Sequence, residues 1–562
     1  MSWLDWLVLL GTLAFIVIYG ALKTRKSHTM ENYLKGDGTM KWWQIGISVM
    51  ATQASAITFI STPGQAYDDG MRFIQFYFGL PVAMIVISAF IIPIFYRLNI
   101  VTAYEYLESR FDLKVRWLAA GFFLLQRGLA AGITIYAPSI ILSTVLGVDL
   151  NLTNIFIGVL VIIYTVTGGA DAVNVTQRHQ MAVMMIGLLL ALGIVIFRVS
   201  EHVGVGAAVQ TAGALGKLNF VDWKFDPDSR YNIWTGLIGG FFLSLSYFGT
   251  DQSQVGRYLG GKSVTQSRLG LLFNGMFKIP MQLLILFTGV MVFVFYLYVQ
   301  PPVFFNKTEL RSLENSSYAG DLHRWEQEYN SIYNQKTAVV RELSRHPESR
   351  EMRAEFSNLQ KKEKAVRDEV KKLATLNNPA ALTKDTDYVF IHFVMDQLPV
   401  GIIGLLFAVI FCAAMSSTSS ELNALAATSL VDVYKRSIRK QASDRHYLNM
   451  SKWITAGWGI TSIIFATMFS LFDNLIEAVN IIGSLFYGTV LGVFTAGFFF
   501  RRLKSLPVFI GALLAELSVV SLFLLNEIQV IRLQYLWLNL IGCVLVLLFA
   551  AVVSLFVPPS RK

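Results

Sequence analysis

About thirteen apolar segments, each long enough to cross roughly 30 Å of hydrocarbon as a helix, constrain this chain more than any other feature. They lie near residues 3–22, 42–62, 72–97, 115–147, 151–168, 179–199, 233–255, 269–299, 398–430, 450–472, 475–500, 505–525 and 534–557. In lipid a backbone must satisfy its own polar groups, which segments of this length do as helices. Composition agrees: 54% of the 562 residues are hydrophobic and 15% charged, where soluble domains carry about 25% charged. The expected fold class is an all-α integral membrane protein.

The net charge of +10 invites a nucleic-acid reading, but its distribution points to topology. With the N-terminus outside, the loops falling inside (23–41, 97–116, 169–180, 256–268, 434–452, 501–504 and 558–562) hold 24 of the Lys and Arg residues, and the short loops of the other side far fewer. That asymmetry predicts a cytoplasmic C-terminus and a plasma or bacterial inner membrane location, with lipid and not nucleic acid as surroundings. The first apolar stretch lacks a basic leader and a small-residue cleavage site, and Trp3 and Trp6 suit an interface, so it reads as a retained span. Cys412 and Cys543 both fall within spans, which argues against a disulfide framework or a thiolate metal site. No phosphate-binding loop, metal-spaced His or Cys, or nucleophile elbow is present, so neither an enzyme nor an organic cofactor is expected.

Polar residues inside apolar segments are the candidate functional groups, because each must find a partner. Five hydroxyls in a row, Ser416 to Ser420, interrupt Ala408–Asn423. They suit an ion, although hydroxyls also bond back to the carbonyl four residues earlier. Thr52, Gln53, Ser55, Thr58 and Ser61, closed by Pro63-Gly64, suit a broken helix whose freed carbonyls line a cavity; the alternative is a polar-speckled helix inside a bundle. Phe73 and Tyr77 lie one helical turn apart and could stack on a solute or simply pack. Arg127, well inside the fourth segment, faces an anionic solute or a carboxylate partner. Asp251 and Lys278 are further charges at or within spans, with solvation at the interface or snorkelling as the plain reading.

Residues 300–397 break the apolar pattern. Apolar residues at 325, 329, 332, 339 and 343, and again at 352, 356, 359, 366, 370 and 373, follow a 4-3 spacing on either side of His346-Pro347. Folded about Pro347, this predicts an antiparallel helical hairpin over about 320–375 in which Lys336 meets Glu363. The hairpin is expected either to be a solvated ornament or to dock a protein partner. Asn306 and Asn315 stand in glycosylation sequons on the same side.

Several stretches resemble the sodium/solute symporter family, which includes sodium-glucose, iodide, monocarboxylate, multivitamin and bacterial sialic acid transporters. They are Ser48-Val-Met-Ala-Thr-Gln-Ala-Ser-Ala-Ile-Thr-Phe-Ile-Ser61, Thr102-Ala-Tyr-Glu-Tyr-Leu-Glu-Ser-Arg-Phe111, Tyr164-Thr-Val-Thr-Gly-Gly169, Gln252-Ser-Gln-Val-Gly-Arg-Tyr258 and Ala413-Ala-Met-Ser-Ser417. The likeness covers nearly everything but the hairpin. It implies an inverted five-helix repeat of the leucine-transporter type. The chain would divide into a peripheral N-terminal span and loop (1–41), a first repeat (42–199), the start of the second (200–299), the insertion (300–397), the rest of the second (398–500) and two peripheral spans (501–562).

By position the resemblance implies a sodium site at the carbonyls of Ala51, Ala54 and Ala413 and the hydroxyls of Ser416 and Ser417. A second sodium site would fall at Ser419, Ser420 and Gln177, but the family's aspartate is replaced by Gln177, so one sodium per solute is expected. Solute positions map to Gln53, Ser55, Thr58, Phe73 and Tyr77. The arginine that holds carboxylate in sialic acid transporters falls near Ala130, one turn from Arg127, so sialic acid is not supported. The implied activity is sodium-coupled import of a small polar solute by alternating access, with proton-coupled or uncoupled transport and a transporter-like sensor as rivals. The chain ends at Pro558-Pro-Ser-Arg-Lys562 without an output domain, which disfavours the sensor.

Overall fold

The structure, a computed structural model, describes residues 1–23, 29–36, 38–379, 381–383, 385–468 and 475–557. Arg25 and Lys26 of the first basic loop, the end of the tenth apolar segment and the tail 558–562 lie outside the described residues. The described chain is helical apart from connections and one isolated bridge between Met40 and Gly261.

The first third comprises α1 (Trp3–Lys23), α2 (Met30–Lys35), α3 (Trp42–Gln53), α4 (Ala56–Asp69), a 3₁₀ segment (Gly70–Tyr77), α5 (Leu80–Val86), α6 (Ile92–Leu98), α7 (Glu105–Arg110), α8 (Leu113–Leu146) and α9 (Leu150–Ser200). Then come α10 (Val205–Ala214), α11 (Gly240–Gly249), α12 (Gln252–Leu259), α13 (Val264–Tyr298), α14 (Lys307–Glu314), α15 (Ala319–Arg345), α16 (Arg350–Asn377) and α17 (Val389–Gln397). The last are α18 (Ile402–Thr428), α19 (Asp444–Ala466), α20 (Leu475–Phe499), α21 (Ser505–Glu527) and α22 (Leu536–Phe556).

Among the described residues, nine helical stretches are long and apolar enough to cross a membrane. They are fewer than the apolar segments because the helices do not respect segment ends. The fifth and sixth segments fuse into α9, bent at Gly169, where φ is +56° and the Tyr33 ring stands 2.5 Å from where a β-carbon would sit. Only glycine meets both demands. The seventh segment is instead divided between α11 and α12, each too short to span alone.

Two interruptions sit side by side in the core. α3 ends at Gln53, Ala54 leaves helical geometry (φ −81°, ψ 78°) and extended Ser55 starts α4, so carbonyls of the last turn of α3 lose their partners. α11 gives way to α12 at Thr250 and Asp251, where Asp251 Oδ1 accepts from the Ser253 amide at 2.8 Å, an N-cap bond that restarts the helix. Pro63-Gly64 does not close the first broken helix, contrary to the sequence reading: α4 runs on to Asp69. Gly289 of α13 lies so close to Pro63 that a β-carbon there would come within 2.2 Å of its carbonyl oxygen, and such packing holds a helix together across proline. Nearly all of α18 is buried, and it packs against α3, α4, α8, α9 and α12. Its N-terminus is capped from α1, where Asp5 Oδ1 accepts from the amides of Gly401 (2.6 Å) and Gly404 (3.1 Å).

The hairpin forms as α15 and α16 about Pro347, and Lys336 and Glu363, each 6% exposed, form an ion pair in its seam. It is not a free ornament. Beside the seam, Tyr333 and Val340 are buried as well, because that face of α15 packs on α10 and α13. Asp385 fastens the base, accepting from Arg367 (2.8 Å), Lys371 (2.7 Å) and the Phe305 amide (3.1 Å). The Asn306 sequon is closed by folding: its amide caps α14 and donates to the Leu382 carbonyl at 3.2 Å.

Truncating Lys336 to alanine strands a buried carboxylate and should cost about 3 kcal/mol, whereas Lys336→Met with Glu363→Leu should recover that loss; hydrogen exchange across α15 and α16 checks both. Burial opposes ionisation of Asp385, but Arg367 and Lys371 outweigh it and hold the carboxyl below its usual range. The stability it supplies is therefore complete above that range and lost as pH falls through it. Protection of α16 should decline below about pH 4, and less so in Asp385→Asn. Asp387, pushed up to about 6 by burial, works with the opposite sign between about pH 4 and 6, so the difference between wild type and Asp385→Asn is the readout.

Candidate functional site

Where the two helix interruptions face α18, a cavity of about 90 Å³ opens, room for about three waters at roughly 30 Å³ each. Its wall is contributed by the α3/α4 break (Thr52, Gln53, Ser55, Ile57, Thr58), the end of the 3₁₀ segment (Phe76, Tyr77), α8 (Arg127, Thr134), α11 (Leu243, Tyr247), α18 (Ser417, Glu421) and α20 (Ile476, Val479, Asn480, Tyr487). Of the residues expected to touch solute, Gln53, Ser55, Thr58, Tyr77 and Arg127 are in this wall. Phe73, Asp251 and Lys278 are not.

Phe73 is displaced by local geometry. Residues 70–77 form a 3₁₀ helix, whose side chains eclipse every third residue, so Phe73 stacks on Phe76 (5.5 Å between ring centres) and meets Tyr231 edge-on at 5.1 Å. Phe76 takes the place in the wall. Lys278 is fully buried with its Nζ 5.6 Å from the centre of the Tyr77 ring.

Asp251 stands one layer back and partners Arg127. That guanidinium, 2% exposed, donates through Nη1 to Glu421 Oε1 at 3.0 Å and through Nη2 to Asp251 and the Tyr487 hydroxyl. Tyr487 in turn donates to Asp251 Oδ2 (3.0 Å), Thr134 donates to Glu421 Oε2 (2.9 Å), and the Tyr247 ring lies 5.3 Å from Arg127 Cζ. One cation thus sits between two carboxylates, tying α8, α12, α18 and α20 at the cavity. Of the two readings left open for Arg127, the carboxylate partner is the one formed. Glu421 escaped the sequence reading, although a carboxylate four residues after Ser417, inside an apolar segment, was a usable signal.

The hydroxyl run divides its bonds. Ser416 Oγ reaches across to the Ala51 carbonyl at 2.9 Å, the freed end of α3. Ser417 turns back on the carbonyl of Ala413 (2.9 Å), and Ser419 on that of Ser416 (3.2 Å), the plain reading of such hydroxyls. Ser416 with Ala51 is thus an oxygen pair between α18 and α3, and Ser417 with Ala413 a second pair within α18. Their donor set, neutral carbonyls and hydroxyls without carboxylate, fits a hard monovalent cation. Among the described residues, the Ala54 carbonyl is not hydrogen-bonded to this group. Of the second set, Ser420 and Gln177 meet while Ser419 stays on its own helix: Gln177 Nε2 donates to Thr52 (3.0 Å), Ser416 (3.1 Å) and Ser420 (3.0 Å), and its Oε1 accepts from Ser48.

Asp251→Asn leaves Arg127 with one charged partner and the α12 cap weakened, so the unfolding temperature in detergent should fall by an amount corresponding to about 3 kcal/mol. Tyr487→Phe, which removes a hydroxyl and no charge, should cost about 1–2 kcal/mol.

The chain is 28% identical to the sodium-coupled monocarboxylate transporter 1 of Xenopus laevis, over 89% of its own length and 68% of that protein's. It is 25% identical to the sodium/sialic acid symporter SiaT of Proteus mirabilis, over 92% and 89% of the two lengths. The aligned part of the chain spans 66% of mouse sodium-coupled monocarboxylate transporter 2. A solved substrate-bound, outward-open structure of a Na⁺-coupled sialic acid symporter superposes over 100% of this chain and 99% of its own, with a TM-score of 0.76 and 23% identity, so the fold is shared. The profile of the sodium:solute symporter family matches residues 33–307 and 371–515, leaving out α15 and most of α16. The protein, integral to a membrane and not an enzyme, belongs to the sodium:solute symporter family.

Proposed function

We propose that this chain is a sodium-coupled secondary symporter that imports a small polar organic solute by alternating access, with its N-terminus and hairpin outside and its C-terminus in the cytoplasm. The observation that carries the reading is the bond from Ser416 Oγ to the Ala51 carbonyl, which spans the gap between α18 and the frayed end of α3. Sodium would be held by the carbonyls of Ala51, Ala54 and Ala413 and the hydroxyls of Ser416 and Ser417, and would supply one positive charge in place of hydroxyl protons. Gln53 and Ser55 follow Ala51 within four residues and line the solute cavity, so an ion that orders this stretch also orders the pocket. A membrane potential contributes about 2.3 kcal/mol per charge per 100 mV, which biases loading from outside.

One ion per solute is the reading for Gln177. Its amide donates to Ser420, the hydroxyl it meets in the second set, and the residue at this position carries no carboxylate to balance a second cation. The repeat boundaries at 42–199 and 200–299 with 398–500 are part of the same reading, as the paired interruptions of α3/α4 and α11/α12 suit half-helices facing one central site.

In proteoliposomes, uptake should depend on sodium with a Hill slope near one, and Ser416→Ala or Ser417→Ala should raise the half-saturating sodium concentration at least about tenfold. Uptake that ignores sodium and follows a proton gradient would remove the coupling while leaving the fold.

A further inference from the structure

We infer that the protein holds one acyl chain of a membrane phospholipid in a slot between α1, α8, α9 and α18, apart from the solute cavity. The slot has a volume of about 420 Å³. Leu9 and Leu13 of α1, Ile157 and Val161 of α9, and Ala414 and Met415 of α18 line its inner wall. Its mouth is made by Leu10, Leu152 and Phe156, each more than half exposed. These side chains belong to α1 and α9, both of which span the membrane, so the slot opens onto the hydrocarbon of the bilayer.

Water is excluded from it. The lining has one hydroxyl, Thr153, which is already bonded to the carbonyls of Leu150 (2.8 Å) and Ser139 (3.1 Å), and a cavity without free polar groups stays dry. Left empty, the slot would deny the side chains around it their dispersion contacts, and hydrocarbon is the medium at its mouth. Its dimensions select the kind of hydrocarbon. The lining runs from Val148 to Val161 of α9, about 20 Å of helix, which matches one leaflet with its headgroup layer. Spread over that length, 420 Å³ gives a cross-section of about 20 Å², room for one extended chain. A helix, about 10–12 Å across with its side chains, does not enter, which sets aside a second copy or a partner helix. Direction agrees too. Asp5 caps α18 at Gly401 and Gly404, so α1 and α18 begin at one level. Trp6 lines the slot near that level, at the headgroup end, and Met415 lies about 16 Å deeper than Gly404. The far end of the acyl chain therefore rests on the two residues of α18 that precede Ser416.

The test uses the full chain in phosphatidylcholine vesicles doped with a phosphatidylcholine that carries a diazirine midway along one acyl chain; mass mapping after illumination reads the sites of attachment. Expected are adducts on Phe411 and Met415, which line the slot and are only 7% and 9% exposed. Val161→Phe, which fills the slot from inside, should lower these adducts at least about tenfold and leave those on the outward-facing Ile18 and Ile163 unchanged. Should that variant not fold, Leu152→Trp at the exposed mouth should act the same way. Phospholipid added back to delipidated protein in detergent should raise the unfolding temperature of the wild type more than that of either variant. Adducts confined to the outward faces of α1 and α9 overturn the inference, as do α18 adducts that persist undiminished in both variants. Labelling of α18 by a diazirine sterol and not by the acyl probe, or a second copy crosslinked over the mouth without acyl adducts, names another occupant and overturns it.

Discussion

A guanidinium held between two carboxylates in the middle of a membrane protein sets the terms for everything around it. Arg127 in α8, Asp251 at the α12 cap, Glu421 in α18 and Tyr487 in α20 cannot be pulled apart singly without stranding a charge in a medium that does not solvate it. Four helices are thereby held in register at the depth of the cavity, and the helix interruption at Thr250 and Asp251 is stabilised by the residue that also anchors the arginine. Such clusters add little net stability over an apolar core, but they make one arrangement far better than its neighbours.

The same economy governs the oxygen-rich interface of α3 and α18. A hydroxyl inside a helix has its own carbonyls always within reach, so Ser417 and Ser419 use them. Ser416 instead reaches Ala51, because the interruption at Ala54 removes the helical donor that would otherwise claim that carbonyl. The interruption thus creates both the cation-suited oxygens and the cavity wall. Gln177, reaching in from α9 beyond its bend at Gly169, completes the neighbouring hydroxyls with an amide.

Most of the hairpin lies outside the stretches that the family profile matches, yet it is bound into the molecule. Its seam is closed by Lys336 and Glu363, its side by α10 and α13, and its base by Asp385. The short helical turn at Thr386–Tyr388 then lies against α4, where a β-carbon at Gly64 would come within 2.2 Å of the Thr386 carbonyl. The insertion is therefore mechanically continuous with the second half of the broken helix that lines the cavity.

Periodicity and polarity, properties of neighbours along the chain, decided what could be read without coordinates. Apolar length marked the spans, misplaced polar residues marked the α3/α4 interruption and the hydroxyl run, and a single charged layer in an apolar 4-3 pattern marked the meeting of Lys336 with Glu363. What escaped depended on groups far apart in sequence or on a change of helix type. Phe73 and Tyr77 share a face only in an α-helix, and the 3₁₀ turn put Phe76 in the wall instead. Whether Ser416 or Ser417 crosses to α3 depends on the rotation of α18, and whether Arg127 serves a solute or two carboxylates depends on α12 and α18 arriving beside α8. The sequence by itself determined which segments enter the membrane and which residues there need partners; only the tertiary structure decided the partners, because hydrogen bonds and ion pairs act over a few ångströms that no spacing along the chain encodes.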